Sequence, residues 1–271
     1  VEFVTGLAVV EKRAKRKPKA KALPPLARND THAAKYERSI DRLARRVFRR
    51  IRATIVARAS RHEKDAADRL RDFLSSLKDD DFAWTEAERD ELRDLLTEVA
   101  LERGDGEIRR LTRGASADEI EQLLSQANER AIAWAQERAG NLITDVSDVT
   151  RDAVNEMTAA AIRDGITTEE FAEQLSGAWE FSTDRATVIA RTEMATAETA
   201  GTLQGYAASG VVEGKGWSAD DEACDECEPM DGEEVPLEDA FSNGDDGPPA
   251  HPNCRCVIYP VAVVPEDSDS E

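Results

Sequence analysis

From residue 40 to residue 161 apolar side chains return every three or four positions, and a chain patterned this way buries them along one face of α-helices. Ile40, Leu43, Val47, Ile51 and Ile55 open the series, with Arg42, Arg45, Arg46, Arg49, Arg50 and Arg52 on the remaining faces, which predicts an amphipathic helix with a basic exterior. The pattern continues at Leu70, Phe73, Leu74 and Leu77, and again at Leu92, Leu95, Leu96 and Val99. Thr85 ahead of Glu86 and Glu88 supplies a hydroxyl cap and early acids, which suit the positive end of a helix dipole. Gly104-Asp105-Gly106 is read as a break. Residues 116–138 resume the pattern with Ile120, Leu123, Leu124, Ile132 and Trp134, and residues 142–161 add Val146, Val149, Val154 and Met157. Four or five helices in series imply a bundle or an elongated hairpin array. Only 5% of residues are aromatic and 34% are charged, which favours bundled helices with much solvated surface over an all-β body.

The character changes toward the C-terminus. Thr168-Glu169-Glu170-Phe171 starts a short capped helix ending near Gly177, and Ser182 or Thr183 caps a longer one through Val188, Ile189, Ala195 and Leu203, stopped by Gly210. Val211-Val212 with Gly216-Trp217-Ser218, and the run from Val257 to Val264, read as short strands separated by turn-rich sequence. Pro260 argues against a central place for the second strand. The fold class is therefore mainly α with a small α+β C-terminal module: an elongated helical bundle or hairpins followed by a loop-rich, metal-stapled domain. Trp179 and Trp217 are read as packing residues, and Asp231-Gly232 as a turn.

Charge is sharply polarised. Residues 1–62 hold 18 Lys and Arg against 5 Asp and Glu, a net +13, while residues 63–271 hold 18 against 51, a net −33. The lysine-rich stretch with Pro24-Pro25 makes residues 1–30 a basic, extended arm, and residues 263–271 an acidic tail. A basic block of this kind suits nucleic acid or an acidic protein surface, with Arg13, Arg16, Arg45, Arg46, Arg49 and Arg50 as candidate contacts, whereas phosphate repels the rest. A solvated helix face and lysine-rich tail is the simpler alternative. No apolar run approaches the roughly 20 residues that span a bilayer, so no membrane partner is expected. The start at Val1, without a secretory leader, is compatible with processing or with release from a longer polypeptide.

All four cysteines and one of three histidines fall within residues 224–256: Cys224-Asp225-Glu226-Cys227, then His251-Pro252-Asn253-Cys254-Arg255-Cys256. A C-x2-C turn offers two thiolates from one tight loop, and Cys254 and Cys256, two apart in an extended segment, project to one side. A structural zinc ion is the first hypothesis, held by four of Cys224, Cys227, His251, Cys254 and Cys256, as four thiolates or as three thiolates and one imidazole. A disulfide or reduced thiols are the competing readings. Arg191-Thr192-Glu193 on the preceding helix is read as exposed, ion-pairing surface in preference to a reactive pair. No catalytic residue is assigned.

In order, Thr168-Glu169-Glu170-Phe171, Ile189-Ala190-Arg191-Thr192-Glu193, Gly205-Tyr206, Gly210, Lys215-Gly216-Trp217, Asp221, Cys224-x2-Cys227, Asp231-Gly232, Phe241, Pro248-Pro249 and His251-Pro252-Asn253-Cys254-Arg255-Cys256 resemble the phage Mu F-like minor head protein family, also called the phage head morphogenesis domain. The resemblance covers residues 150–262, after a helical region at 31–149. It implies a non-enzymatic virion component, assembled in the host cytoplasm and resident at the portal vertex or in the capsid interior. It further implies action in head morphogenesis and genome packaging or delivery, with the portal protein and the major capsid or scaffolding protein as partners; packaged DNA is the partner that the basic N-terminal region suggests. Toxin fusions in the family bring in an ADP-ribosyltransferase-like enzyme as one alternative, and the cysteine cluster a zinc-containing DNA-binding protein as another.

Overall fold

The computed structural model describes residues 20–22, 24, 30–59 and 66–263, and within these six helices and four short strands form. Helix α1 (Asp30–Ala59) buries Tyr36, Ile40, Leu43, Val47, Phe48, Ile51 and Ile55 as one stripe, as the periodicity requires. Helix α2 (Ala66–Ser76) contributes Leu70 and Phe73, and Phe73 meets Phe171 of α5 (Thr168–Gly177) edge to face at 5.8 Å between ring centroids. Helix α3 (Glu86–Leu111) packs against both α4 (Ala117–Asp164) and α6 (Thr183–Ser209). Together these helices enclose one apolar core.

Helix starts follow local chemistry. Thr85, Ser116 and Thr167 each accept from the amide three residues on, and the glutamate at that position reaches back to the cap's own amide. Helices α4 and α6 stop at Gly165 and Gly210, both with positive φ, where a side chain would be strained. At Thr85 the box also carries an ion pair. The Glu88 carboxylate accepts from the Thr85 amide at 2.8 Å and from Arg50 of α1 at 2.8 and 3.2 Å. Burial pushes the Glu88 carboxyl upward, but the hydrogen bonds from Arg50 and Thr85 outweigh it and hold Glu88 below the ordinary carboxylate range. A group lowered in the folded state contributes stability that is fully present above its unfolded pKa and is lost as pH falls through the folded one. Urea titrations should therefore show Glu88→Gln less stable than the parent at pH 7, with the gap closing on acidification. Thr85→Ala should cost about 1 kcal/mol.

Three expectations change. Gly104-Asp105-Gly106 does not break a helix but lies inside α3, because Gly104 sits against the backbone of Gly201 on α6. Ala117–Asp164 form a single helix after the Ser116 cap, so the segments read at residues 116–138 and 142–161 are one continuous run. Along α4 the buried stripe is Ala127, Ala131, Ala135 and Ala139, then Leu142, Ile143, Val146 and Val154, leaving Ile132 and Val149 exposed. Alanine every fourth residue lets neighbouring helices approach closely where isoleucine would hold them apart. The buried hydroxyls of Thr150 and Thr158 donate to the carbonyls four residues back.

After α6 the chain forms an antiparallel sheet in the order β1-β4-β2-β3, from β1 (Ala20–Ala22), β2 (Val212–Ser218), β3 (Glu234–Pro236) and β4 (Val257–Val263). Of the arm read at residues 1–30, Ala20–Ala22 form β1, paired with β4, and residues 1–19 lie outside the described residues. Pro260 lies in an inner strand, contrary to the expectation. It is opposite Lys215 of β2, whereas β1 pairs only with residues 261–263, so among the described residues the proline has one ladder neighbour. Arg13, Arg16 and the acidic tail from residue 264 lie outside the described residues.

Candidate metal centre and the module around it

Between β2 and β4 the only regular elements are a 3-10 turn at Glu228–Met230 and the three residues of β3, so side chains must hold this segment together. A second core does so: Trp217, Met230, Phe241 and Ile258 gather around Tyr206 of α6, and Cys227, Cys254 and Cys256 are part of it. Trp217 meets Phe241 edge to face at 5.2 Å. Gly232, with φ of 79°, turns the chain so that its amide donates to the Trp217 carbonyl at 2.9 Å, and the Asp231 carboxylate accepts from the Ala219 amide. Trp217 is the packing residue foreseen. Trp179 is not: it is 53% exposed.

All five sulfur and imidazole candidates converge. Cys224 Sγ lies 3.1 Å and Cys227 Sγ 3.3 Å from His251 Nε2, and Cys227 Sγ lies 3.8 Å from Cys254 Sγ. The ligand atoms form two triads, Cys224-Cys227-His251 and Cys227-Cys254-Cys256, which share Cys227. Tetrahedral zinc with sulfur at about 2.3 Å sets ligand sulfurs about 3.8 Å apart, so the cysteine spacing fits such an ion. It is far beyond the roughly 2.05 Å of a disulfide, and all four thiols are free.

His251 is oriented for ligation. Its Nδ1 lies 2.9 Å from the Pro252 carbonyl oxygen, which only accepts, so the proton belongs on Nδ1 and the Nε2 lone pair faces the sulfurs. The Cys224–Cys227 turn is a knuckle: the Cys227 and Glu228 amides donate to the Cys224 carbonyl. Amides of Cys227 and Glu226 also draw the Cys224 thiol below its ordinary range, while burial pushes Cys227 and Cys254 up.

The helix before the module is tied to it through the pair's middle residue. Thr192 Oγ1 accepts from the Asn253 amide at 3.2 Å while donating to the Val188 carbonyl, and Asn253 takes a φ of 64° beside the two cysteines. Tyr206 adds a hydroxyl to the Ile258 carbonyl at 3.4 Å. Arg191 and Glu193 part company, which corrects the expectation of a shared surface pair. Arg191 is exposed, whereas Glu193 is 2% exposed and receives both its hydrogen bonds from Arg138 of α4, at 2.8 and 2.5 Å. Hydrogen bonding to Glu193 raises Arg138 above its ordinary value against the opposing effect of burial. Arg138→Ala should cost more stability than Glu193→Ala, about 3 kcal/mol, because it strands the more deeply buried charge; urea titration of the two variants measures the order. Nothing local in the sequence marked Arg138.

The basic face of α1 is largely engaged within the fold. Arg45 pairs with Asp41 at 2.7 Å and donates to Thr187, Arg46 pairs with Glu91, and Arg50 with Glu88. Arg49 is exposed and bonds only to the Arg45 carbonyl among the described residues. Residues 211–263 carry 14 Asp and Glu against two cations, and one of these, Lys215, is 1% exposed, its ammonium 5.5 Å from the Phe241 ring. Among the described residues no helix is long and apolar enough to cross a membrane.

No curated protein and no solved structure matches the chain. Residues 152–259 match the model of one family, described as Phage Mu protein F like protein. The match begins inside α4 and ends in β4, so it takes in the Thr192–Asn253 tie, the Arg138-paired Glu193 and all five candidate ligands. Through this segment, the chain is similar to the Phage Mu protein F like family.

Proposed function

We propose that this protein is a minor head protein of a tailed bacteriophage, resident at the portal vertex or in the capsid interior, where it acts in head morphogenesis and in genome packaging or delivery. The observation that carries the reading is the spatial union of the family segment. Its separate sequence signals close on one another through Thr192, Tyr206 and the cysteine cluster, and they build a scaffold in which the buried Glu193 is engaged by Arg138. Such a module is suited to holding a surface in place. In this reading zinc is the structural staple, with Cys227 as the ligand common to both triads and three of Cys224, His251, Cys254 and Cys256 completing the tetrahedron.

Portal, major capsid or scaffolding protein are the proposed protein partners. Contact with packaged DNA falls to Arg13, Arg16 and Arg49, since Arg45, Arg46 and Arg50 already face acids. An acidic module with so few cations is a poor reader of phosphate, which sets the DNA-binding alternative aside. Imaging intact particles without imposed symmetry tests the reading: density for this chain beside the portal is expected, and its absence from both proheads and mature heads would overturn it. Deleting residues 1–19, which spares β1 and the core helix α1, should weaken any DNA binding at low salt.

A further inference from the structure

The two exposed arginines of the family segment's best-defined signals, Arg191 and Arg255, line one cleft. It has a volume of about 200 Å³ and lies between the start of α1, the outer face of α6 and the loop that carries His251 and Cys254. Ala33, Ala34 and Ala195 give it room, and Asn253 and Cys254 form part of its wall. Neither guanidinium has an ion pair or hydrogen bond among the described residues. On α6 the positions one turn away from Arg191 are Thr187 and Ala195, which offer no charge partner. Arg255 is the only exposed cation of residues 211–263, and it stands between two cysteines that are buried in the second core. The Thr192–Asn253 hydrogen bond and the cysteine cluster fix the loop, so both arginines are presented from braced backbone.

We propose that this cleft is a socket for one carboxylate presented by a protein partner. Two guanidiniums on separate elements suit a planar, compact anion, which they can grip by charge-assisted hydrogen bonds. The surroundings argue against a nucleic-acid strand. A backbone of successive phosphates would lie across a module with 14 acids, and Glu37 stands at the cleft itself, whereas a single acidic side chain enters without exposing further charge to that field. The socket does not depend on where in a particle the protein resides.

The test is a titration of the full chain, followed by the Arg Nε–Hε resonances of Arg191 and Arg255. The probes are capped Gly-Glu-Gly, capped Gly-Gln-Gly, inorganic phosphate and a single-stranded oligonucleotide. Capped Gly-Glu-Gly is expected to shift both resonances saturably with one shared Kd, and Gly-Gln-Gly to leave them in place. Arg191→Ala and Arg255→Ala should each weaken that binding about tenfold or more, and Arg191→Lys by less, with far-UV circular dichroism unchanged. Absence of saturable shifts, or equal affinity in the alanine variants, overturns the proposal. Tighter binding of phosphate or of the oligonucleotide at the same two arginines also overturns it, in favour of a phosphate site.

Discussion

Gly201→Val should lower the stability of the helical body by about 3 kcal/mol, whereas Gly140→Ala should raise it by about 0.5–1 kcal/mol, although both glycines sit inside long helices. The difference lies in what a side chain would meet. A Cβ on Gly201 would lie 2.3 Å from the Ala100 carbonyl oxygen and 2.9 Å from the Ala100 Cα, both backbone atoms of α3, and 2.9 Å from the Arg103 Cβ. Backbone cannot rotate away, so α3 and α6 would have to separate along their whole contact. Gly205, one turn on, faces the Glu107 Cβ at 2.7 Å, and Gly104 faces the Gly201 carbonyl at 3.2 Å, so three glycines make one close crossing. Separation would also disturb Glu107, fully buried there and ion-paired with Arg110 at 2.6 Å and Arg103 at 3.7 Å. Around Gly140 nothing lies within 4 Å of an added Cβ, and alanine there simply removes chain entropy from the unfolded state. Urea titrations of both variants provide the measurement, and equal effects of the two would refute the crossing as the cause.

That crossing also shows where sequence reading runs out. Gly104-Asp105-Gly106 has the local chemistry of a turn, and only the partner glycines about a hundred residues later make it helical; the Gly201-x3-Gly205 spacing was the available signal. Helix starts at Thr85 and Ser182 and the stop at Gly210 were legible because caps act within one turn. Ile132 and Val149 misled because three- and four-residue spacing is satisfied by two adjacent stripes, and the choice between them rests on how closely neighbours approach. Pairing was the least visible property: an arginine on α1 or α4 does not reveal that Glu88 or Glu193 waits across the bundle. The cysteine and histidine set was legible for the opposite reason. Few residue types ligate a soft metal, so their crowding into residues 224–256 carried information that charged or apolar residues at the same density would not.

Removal of metal should unfold the C-terminal module and leave the helical body standing. Purified protein is expected to hold about one zinc per chain, and a chelator should strip hydrogen-exchange protection from residues 211–263 while peptides of α1 to α5 keep theirs. The expectation rests on how little else holds the loop segment: a 3-10 turn, a three-residue strand and a core in which three of the nine buried side chains are thiol-bearing. Structural zinc in small domains contributes an apparent binding free energy of about 10–16 kcal/mol, against a net stability of about 5–15 kcal/mol for an ordinary domain. Losing it therefore exceeds what the remaining contacts of so small a core can absorb. The helices have their own core around Phe48, Phe73 and Leu96, separate from that of Trp217, and so have reason to persist. Among single variants Cys227→Ser should be the most damaging, since both triads contain Cys227, while Cys224→Ser removes an exposed ligand from one. Comparing the zinc content of Cys254→Ser, Cys256→Ser and His251→Ala identifies the remaining ligands directly. Well under one zinc per chain, together with unchanged exchange after chelation, would show that thiol packing alone holds the loop, and the cluster would then be core and nothing more.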